Sequence, residues 1–295
     1  MKKLIQLYCN ICHCNDNRFR EKLQRLSNNN CPKFSDEELI TVYLWGKAQQ
    51  LFQRKAIYNY TKTHLLDWFP DIPSYQAFCR RLNNLTPAMQ ALAQIWNEQA
   101  EMKSNDLGEF VVDSCPIMLA TNSRSNRGVI GKEEGVCSLC RNATKNQWYH
   151  GVKLHVFGRL RHGTLPVPRS MHVSNSTLCD LWAAKQIVLD CKPIENGILY
   201  ADRAYIDANW SEDLKSECNI DIVTPRKKKP YDVLNAGDCY SSFISGLRQP
   251  IESFFNWVNE KTNIQNASRI RSVQGLYFHI FSCLALAAYF LNFNY

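Results

Sequence analysis

The spacing of apolar positions changes near residue 106, and the change separates two kinds of element. Before it the spacing is helical. Ser35-Asp-Glu-Glu38 predicts a capping box, with the serine oxygen set for the third helical amide and Glu38 reaching back. Leu39, Val42 and Tyr43 carry that helix on toward Leu51. Pro73-Ser74 predicts the start of a short helix whose apolar face is Tyr75, Phe78 and Leu82, with Arg80 and Arg81 turned elsewhere. Thr86-Pro87 predicts a cap followed by proline in the first turn, opening a helix through Leu92 and Trp96.

After the change, short apolar runs alternate with helical stretches. Phe110-Val-Val112 ends in Asp113, and Ile198-Leu-Tyr-Ala201 ends in Asp202. Lys153-Leu-His-Val-Phe157 alternates polar and apolar, as a half-buried strand does, and Ile220–Thr224 reads as a fourth strand. Thr177–Leu189 and Ala208–Glu217 read as helices. Strands interleaved with helices predict an α/β fold with a mixed sheet. The composition break at 103–108 sets the expected boundary: an all-α region over 1–105 and an α/β domain over 106–295. Leu276–Phe293 is almost wholly apolar and near membrane-spanning length. It carries His279, Ser282 and Asn292, and reads as a core helix with no membrane involved.

Composition narrows the function class. Of 295 residues, 45% are hydrophobic and 21% charged, a globular balance that excludes a disordered or fibrous chain. The net charge of +8 is unevenly spread. Residues 114–179 hold nine Arg or Lys, including Arg124 and Arg127, against only Glu133 and Glu134. Such a local surplus marks a surface that handles a polyanion, or else a solvated basic face. The 13 cysteines are scattered, and read as reduced, mostly buried residues of a cytoplasmic protein. The N-terminus, broken by Gln6, Asn10 and His13, does not read as a signal peptide.

Asp113 and Asp202 share one local design, an acid directly after a short apolar run. Strand ends in α/β sheets are where sites gather, and adjacent strands would bring both carboxylates to one edge. Glu252 lies in Arg248-Gln-Pro-Ile-Glu-Ser-Phe-Phe, where Pro250 suits a helix's first turn. Ile251, Phe254, Phe255 and Val258 then form a buried stripe with Glu252 beside it, and Arg248 one turn before if the helix starts early. Phosphodiester transfer needs charge neutralised on the attacking, leaving and phosphoryl oxygens, which two divalent ions held by carboxylates can do. Two carboxylates about 5 Å apart repel by roughly 3 kcal/mol at an effective dielectric near 20, so one pKa should rise. Any one of these acids could equally be a turn former or helix cap.

At these residues the chain resembles the bacterial insertion-sequence DDE transposases. Asp113-Ser-Cys-Pro-Ile resembles the first-aspartate motif. Tyr149-His-Gly-Val-Lys153-Leu-His155 is similar to the strand that follows it. Ala201-Asp202-Arg-Ala-Tyr205 resembles the second-aspartate motif, and Arg248-x-x-x-Glu252 the arginine-to-glutamate helix. The likeness covers roughly 106–290 in register, and Phe34–Leu85 is similar to the N-terminal region of one branch. It implies an RNase H-like mixed sheet flanked by helices. It also implies that Asp113, Asp202 and Glu252 are catalytic and bind two Mg²⁺, with Mn²⁺ able to substitute. Arg248 would contact phosphate, and Lys153 or His155 would support the site or the DNA. The family pattern often has Tyr three residues before the Arg and Lys seven after the Glu. Those positions are Ser245 and Asn259 here, with Lys261 just beyond.

The implied activity is metal-dependent cleavage at element ends, then transfer of the 3′-hydroxyl into target DNA. The partners are double-stranded DNA, as terminal inverted repeats and target, and a second copy of the chain. The implied setting is the bacterial cytoplasm, at the nucleoid. A nuclease without strand transfer and an inactive DNA-binding relic are the alternatives. Arg80 and Arg81, like the run Arg226-Lys227-Lys228-Lys229, read either as DNA contacts or as solvated charge. Cys137-Ser-Leu-Cys140 and Cys9-Asn-Ile-Cys12-His-Cys14 have half-site zinc spacing, though the latter falls in a predicted helix. No Gly-rich phosphate loop or Ser-His-Asp order stands out.

Overall fold

A computed structural model describes residues 2–23, 32–103, 108–142, 145–191, 196–226 and 239–293. The helices and strands, in chain order, are α1 (Lys2–Cys12), α2 (Asn17–Arg20), α3 (Asp36–Ala48), α4 (Arg54–His64), α5 (Tyr75–Asn84) and α6 (Thr86–Met102). Then follow β1 (Glu109–Thr121), β2 (Ser138–Asn142), β3 (Gln147–Arg159), β4 (Val167–Asn175) and α7 (Asp180–Asp190). Last come β5 (Gly197–Tyr200), α8 (Ala208–Cys218), β6 (Ile220–Val223), α9 (Cys239–Thr262) and α10 (Val273–Phe293). They group into two compact units. One comprises Met1–Trp96, Val258–Ile264 and Ile270–Tyr295; the other comprises Asn97–Trp257 and Gln265–Arg269. Residues 104–107, where the composition break falls, lie outside the described residues.

The first unit is helical. The capping box at α3 is formed: Ser35 Oγ accepts from the Glu38 amide at 3.1 Å, and Glu38 Oε2 accepts from the Ser35 amide at 2.6 Å. The helix behind it is buried nearly all round, so it lies at the centre of this unit. On α5, Phe78 and Leu82 are buried as the spacing predicts. Thr86 does not cap α6. Its hydroxyl donates back to the Asn83 carbonyl at 2.8 Å, because the chain passes from α5 to α6 through one turn. α10 is long and apolar enough to cross a membrane, yet most of it is buried here. Phe278 packs on Tyr43 at 5.0 Å and Tyr289 on Trp96 at 5.3 Å, the contacts of a core helix.

The second unit is a mixed α/β sheet with the RNase H-like order of strands. β1 lies between β3, antiparallel from Phe110↔Arg159 to Thr121↔Tyr149, and β5, parallel from Glu109↔Ile198 to Val111↔Tyr200. β6 continues in parallel beside β5. On the far side of β3, β2 pairs with its first residues and β4 with the rest. Phe110, Val112, Phe157, Leu199, Ala201 and Ile220 pack with Ala184 and Ile187 of α7 and Trp210 and Leu214 of α8, so both helices cover one face.

Three features depart from the sequence reading. β3 is longer than Lys153–Phe157 and is buried on both faces, not one. β1 does not end at Asp113 but runs on to Thr121. α9 starts at Cys239, so Pro250 lies inside it, not in its first turn. A proline there removes one helical hydrogen bond and presses on the carbonyl four residues earlier. That residue is Gly246, where an added Cβ would meet open space.

Candidate active site

The parallel register of β1 and β5 brings the two aspartates side by side. Val111 pairs with Tyr200, and each aspartate lies two residues further along its own chain. Neighbouring strands run about 4.8 Å apart, so the backbones at Asp113 and Asp202 stay close. Side chains alternate between faces. Phe110, Val112, Leu199 and Ala201 point into the core under α7 and α8; Asp113 and Asp202 therefore point to the other face. Asp113 Oδ1 accepts the Ser114 amide at 2.8 Å, and Asp202 Oδ1 accepts the Arg203 amide at 2.7 Å, where it caps a short 3₁₀ turn.

α9 supplies the rest. Ile251, Phe254 and Phe255 are buried. Arg248 and Glu252, four residues apart, share another side of the helix. The Arg248 guanidinium reaches all three acids. Its Nη2 donates to Asp113 Oδ2 at 3.2 Å and lies 3.8 Å from Glu252 Oε1, and its Nη1 lies 3.8 Å from Asp202 Oδ1. Asp113 and Glu252 touch the same nitrogen, so those oxygens are at most about 7 Å apart, the two contacts laid end to end. Arg248 is itself only 7% exposed, and its Nε is buried with no hydrogen-bond partner among the described residues.

The electrostatics follow from this crowding. Burial pushes the Asp113 carboxyl up to about 6; Asp202 and Glu252 push the same way, while Arg248 and the Ser114 amide pull against them. The predicted rise in one acid is present, but removal from water is its main cause and like-charge repulsion is secondary. The side chains of Asp202 and Glu252 are 50% and 58% exposed. The donor set is therefore carboxylate oxygen, partly open to solvent, which suits a hard divalent ion. Among the described residues no group of three or more His, Cys, Asp or Glu is already arranged to hold a metal. The positive charge among the three acids is Arg248.

Lys153 and His155 are placed elsewhere. They pair with Pro116 and Ser114 of β1, one strand position out of phase with Asp113. Lys153 Nζ donates to Asp180 Oδ1 at 2.9 Å, which also accepts from Ser114 Oγ at 3.2 Å. His155 is fully buried, shares a 2.7 Å hydrogen bond with Ser174 Oγ, and is driven down to about 4 by burial, so it is neutral at physiological pH. Both belong to a polar network anchored on α7. Asp180 was not singled out by the sequence. The available signal was an acid in the first turn of a predicted helix, which is common. Tyr205, in the second-aspartate motif, is buried with its hydroxyl unpartnered among the described residues, in the field of Asp113, Asp180 and Asp202. Gly151 of the third motif has a packing role: a Cβ there would lie 2.0 Å from the Ile117 carbonyl oxygen.

The basic residues divide in the same way. Arg80 is exposed, whereas Arg81 is drawn inward to Asp36 at 2.6 Å, so the arginine pair does not present a common face. Arg124 and Arg127 are exposed on the turn after β1. Arg226 is exposed, with its guanidinium 5.1 Å from the Tyr240 ring centre. Lys227 and Lys228 lie outside the described residues. Lys261 pairs with Glu260 at 3.0 Å. Cys9 and Cys12 lie in α1 and Cys140 in β2; with Cys14 and Cys137 they are free thiols.

An RNase H-like sheet carrying two aspartates where its parallel and antiparallel strands meet, with a glutamate from a helix beside them, defines a class of nucleic-acid-processing proteins. Within that class the assignment is specific. The family model described as the transposase DDE domain matches residues 110–291, well over half of the chain, and the chain belongs to that family. No curated protein and no solved structure matches it. Membership marks a transposase acting on DNA, in a family that generally uses divalent metal ions.

Proposed function

We propose that the chain cuts DNA at the ends of its own element and joins the freed 3′-hydroxyl to target DNA, with Asp113, Asp202 and Glu252 as the catalytic, metal-binding residues. The observation that carries this reading is the convergence of three acids, distant in sequence, on one guanidinium. Burial of Asp113, with two further acids beside it, raises its pKa and so works against folding, which makes the arrangement a poor structural device. Mg²⁺ ions, two in this reading and replaceable by Mn²⁺, supply activation of the attacking oxygen and neutralisation of the phosphoryl group when bound. The chain's own groups do the positioning. The Ser114 and Arg203 amides fix the two aspartates, the rigid parallel strands set their spacing, and Arg248 offers a fork that fits a phosphate.

Arg80, Arg124, Arg127, Arg226, Lys227, Lys228 and Lys261 are the proposed DNA contacts. Arg81 is proposed with them, and Lys153 and His155 support the site or the DNA. In this division of labour residues 1–105 bind terminal repeats and 106–295 carry the chemistry. Two copies act together, since two element ends must be brought to one place, and the reaction takes place in the bacterial cytoplasm at the nucleoid. The test uses a duplex ending in the element's own repeat. Divalent-dependent nicking that disappears in Asp113→Asn, with joined products from a precut end, is the expected result. Nicking without joining favours the nuclease alternative. Unchanged nicking in Asp113→Asn refutes the site.

A further inference from the structure

We propose that Lys47 and Cys283 form an oxidant-sensitive pair in the helical unit, which hydrogen peroxide converts into a covalent nitrogen–oxygen–sulfur bridge between α3 and α10. Lys47 lies in the last turn of α3 and is fully buried, as is Cys283 in the middle of α10. Lys47 Nζ is 2.9 Å from Cys283 Sγ. Its other contacts are the Thr262 carbonyl oxygen at 3.5 Å and the Tyr43 ring, 5.8 Å away at its centre. Cys283 Sγ approaches the same Thr262 carbonyl at 3.6 Å. Among the described residues no carboxylate pairs with this lysine.

That arrangement is a poor way to stabilise a fold. A buried ammonium without a counter-charge is costly, and a thiol is a weak hydrogen-bond partner. An amine held against an oxidisable sulfur is, in contrast, a reactive pair already in contact. The first peroxide oxidises the Cys283 thiol to a sulfenic acid and leaves one water. The second removes the sulfenic hydrogen, one amine hydrogen and two electrons as the N–O bond closes, and leaves two more waters. One amine, one thiol and two peroxides thus give one bridge and three waters, and a dithiol reductant reverses the change. Both groups are shielded from solvent, so reaction proceeds through local opening and is slow. The bridge ties together positions 236 residues apart, which restrains the unfolded chain.

The intact chain is incubated with hydrogen peroxide under native conditions, denatured, alkylated, digested and analysed by mass spectrometry. The expected product is a linked pair of peptides containing Lys47 and Cys283. Its mass exceeds their sum by about 14 Da, one oxygen gained and two hydrogens lost, and it disappears after dithiothreitol treatment. Cys283→Ser and Lys47→Met each abolish it, and the reading from the unsubstituted chain holds whether or not those variants fold. Recovery of Cys283 as a free thiol, as an unlinked sulfinic acid or in a disulfide with another cysteine, with Lys47 unlinked, overturns the proposal.

Discussion

Replacing Asp113 with asparagine should make the protein more stable, and by an amount that depends on pH. The carboxyl ordinarily titrates at 3.8 and is raised to about 6 in the fold. Each pKa unit is worth about 1.4 kcal/mol, so ionising Asp113 in the folded state costs up to about 3 kcal/mol above pH 6. The opposing pull of Arg248 and the Ser114 amide is already contained in that shift. The side chain keeps 21% exposure, and solvent screening lowers the expected gain to about 1–3 kcal/mol. The sign follows from the raised value. The folded state holds its proton more tightly than the unfolded chain, so the penalty is absent below pH 3.8, grows as pH rises and is complete above pH 6. Asparagine has the shape of the protonated acid and removes the penalty. Denaturant melts at pH 8 should show the full gain, and melts at pH 5 about half of it. A variant less stable than the parent at pH 8, or a difference unaffected by pH, would refute the assignment of Asp113 as a strained, desolvated acid.

Arg248→Gln leaves three carboxylates without their shared guanidinium. It should lose about 1–3 kcal/mol at neutral pH, with added Mg²⁺ restoring more stability than in the parent. Calorimetric melts with and without the ion measure both effects. Gly151→Ala places a methyl against the Ile117 carbonyl and should cost roughly 3 kcal/mol or prevent soluble expression, as chemical denaturation would show. The His155 imidazole should titrate near 4 by NMR, because burial favours its neutral form. Its lowered value means that stability is lost as pH falls from about 6.5 through 4, and His155→Gln should flatten that part of the acid melt. A normal His155 titration near 6.5 would contradict the buried placement.

The helical cap at Ser35, the strands that lead to Asp113 and Asp202, and the stripe on α9 were legible because each rests on local chemistry: a hydroxyl before an amide, or an apolar run before an acid. The register that aligns the two aspartates was legible only as an expectation, since strand pairing is set by partners far away in the chain. β4 escaped detection. Val-Pro-Arg-Ser-Met-His-Val-Ser-Asn has no alternation and a proline, which a strand tolerates away from the sheet's centre. The internal partners of Arg81, Lys153 and His155 also escaped, because a basic side chain is identical in sequence whether it meets solvent or an acid within the fold. Asp36 and Asp180 decide between those outcomes, and neither stands out locally. The position of Pro250 misled for a related reason. Proline favours a helix's first turn, but α9 begins eleven residues before Pro250 and carries it in its interior.

Whether the three acids hold divalent ions is tested most directly by anomalous diffraction from crystals grown with Mn²⁺. The account predicts a peak bonded to Asp113 and Asp202, with Glu252 in reach and the Arg248 guanidinium withdrawn from its contacts. Arg248 still in contact with all three carboxylates, and Mn²⁺ bound only at other residues, would contradict it.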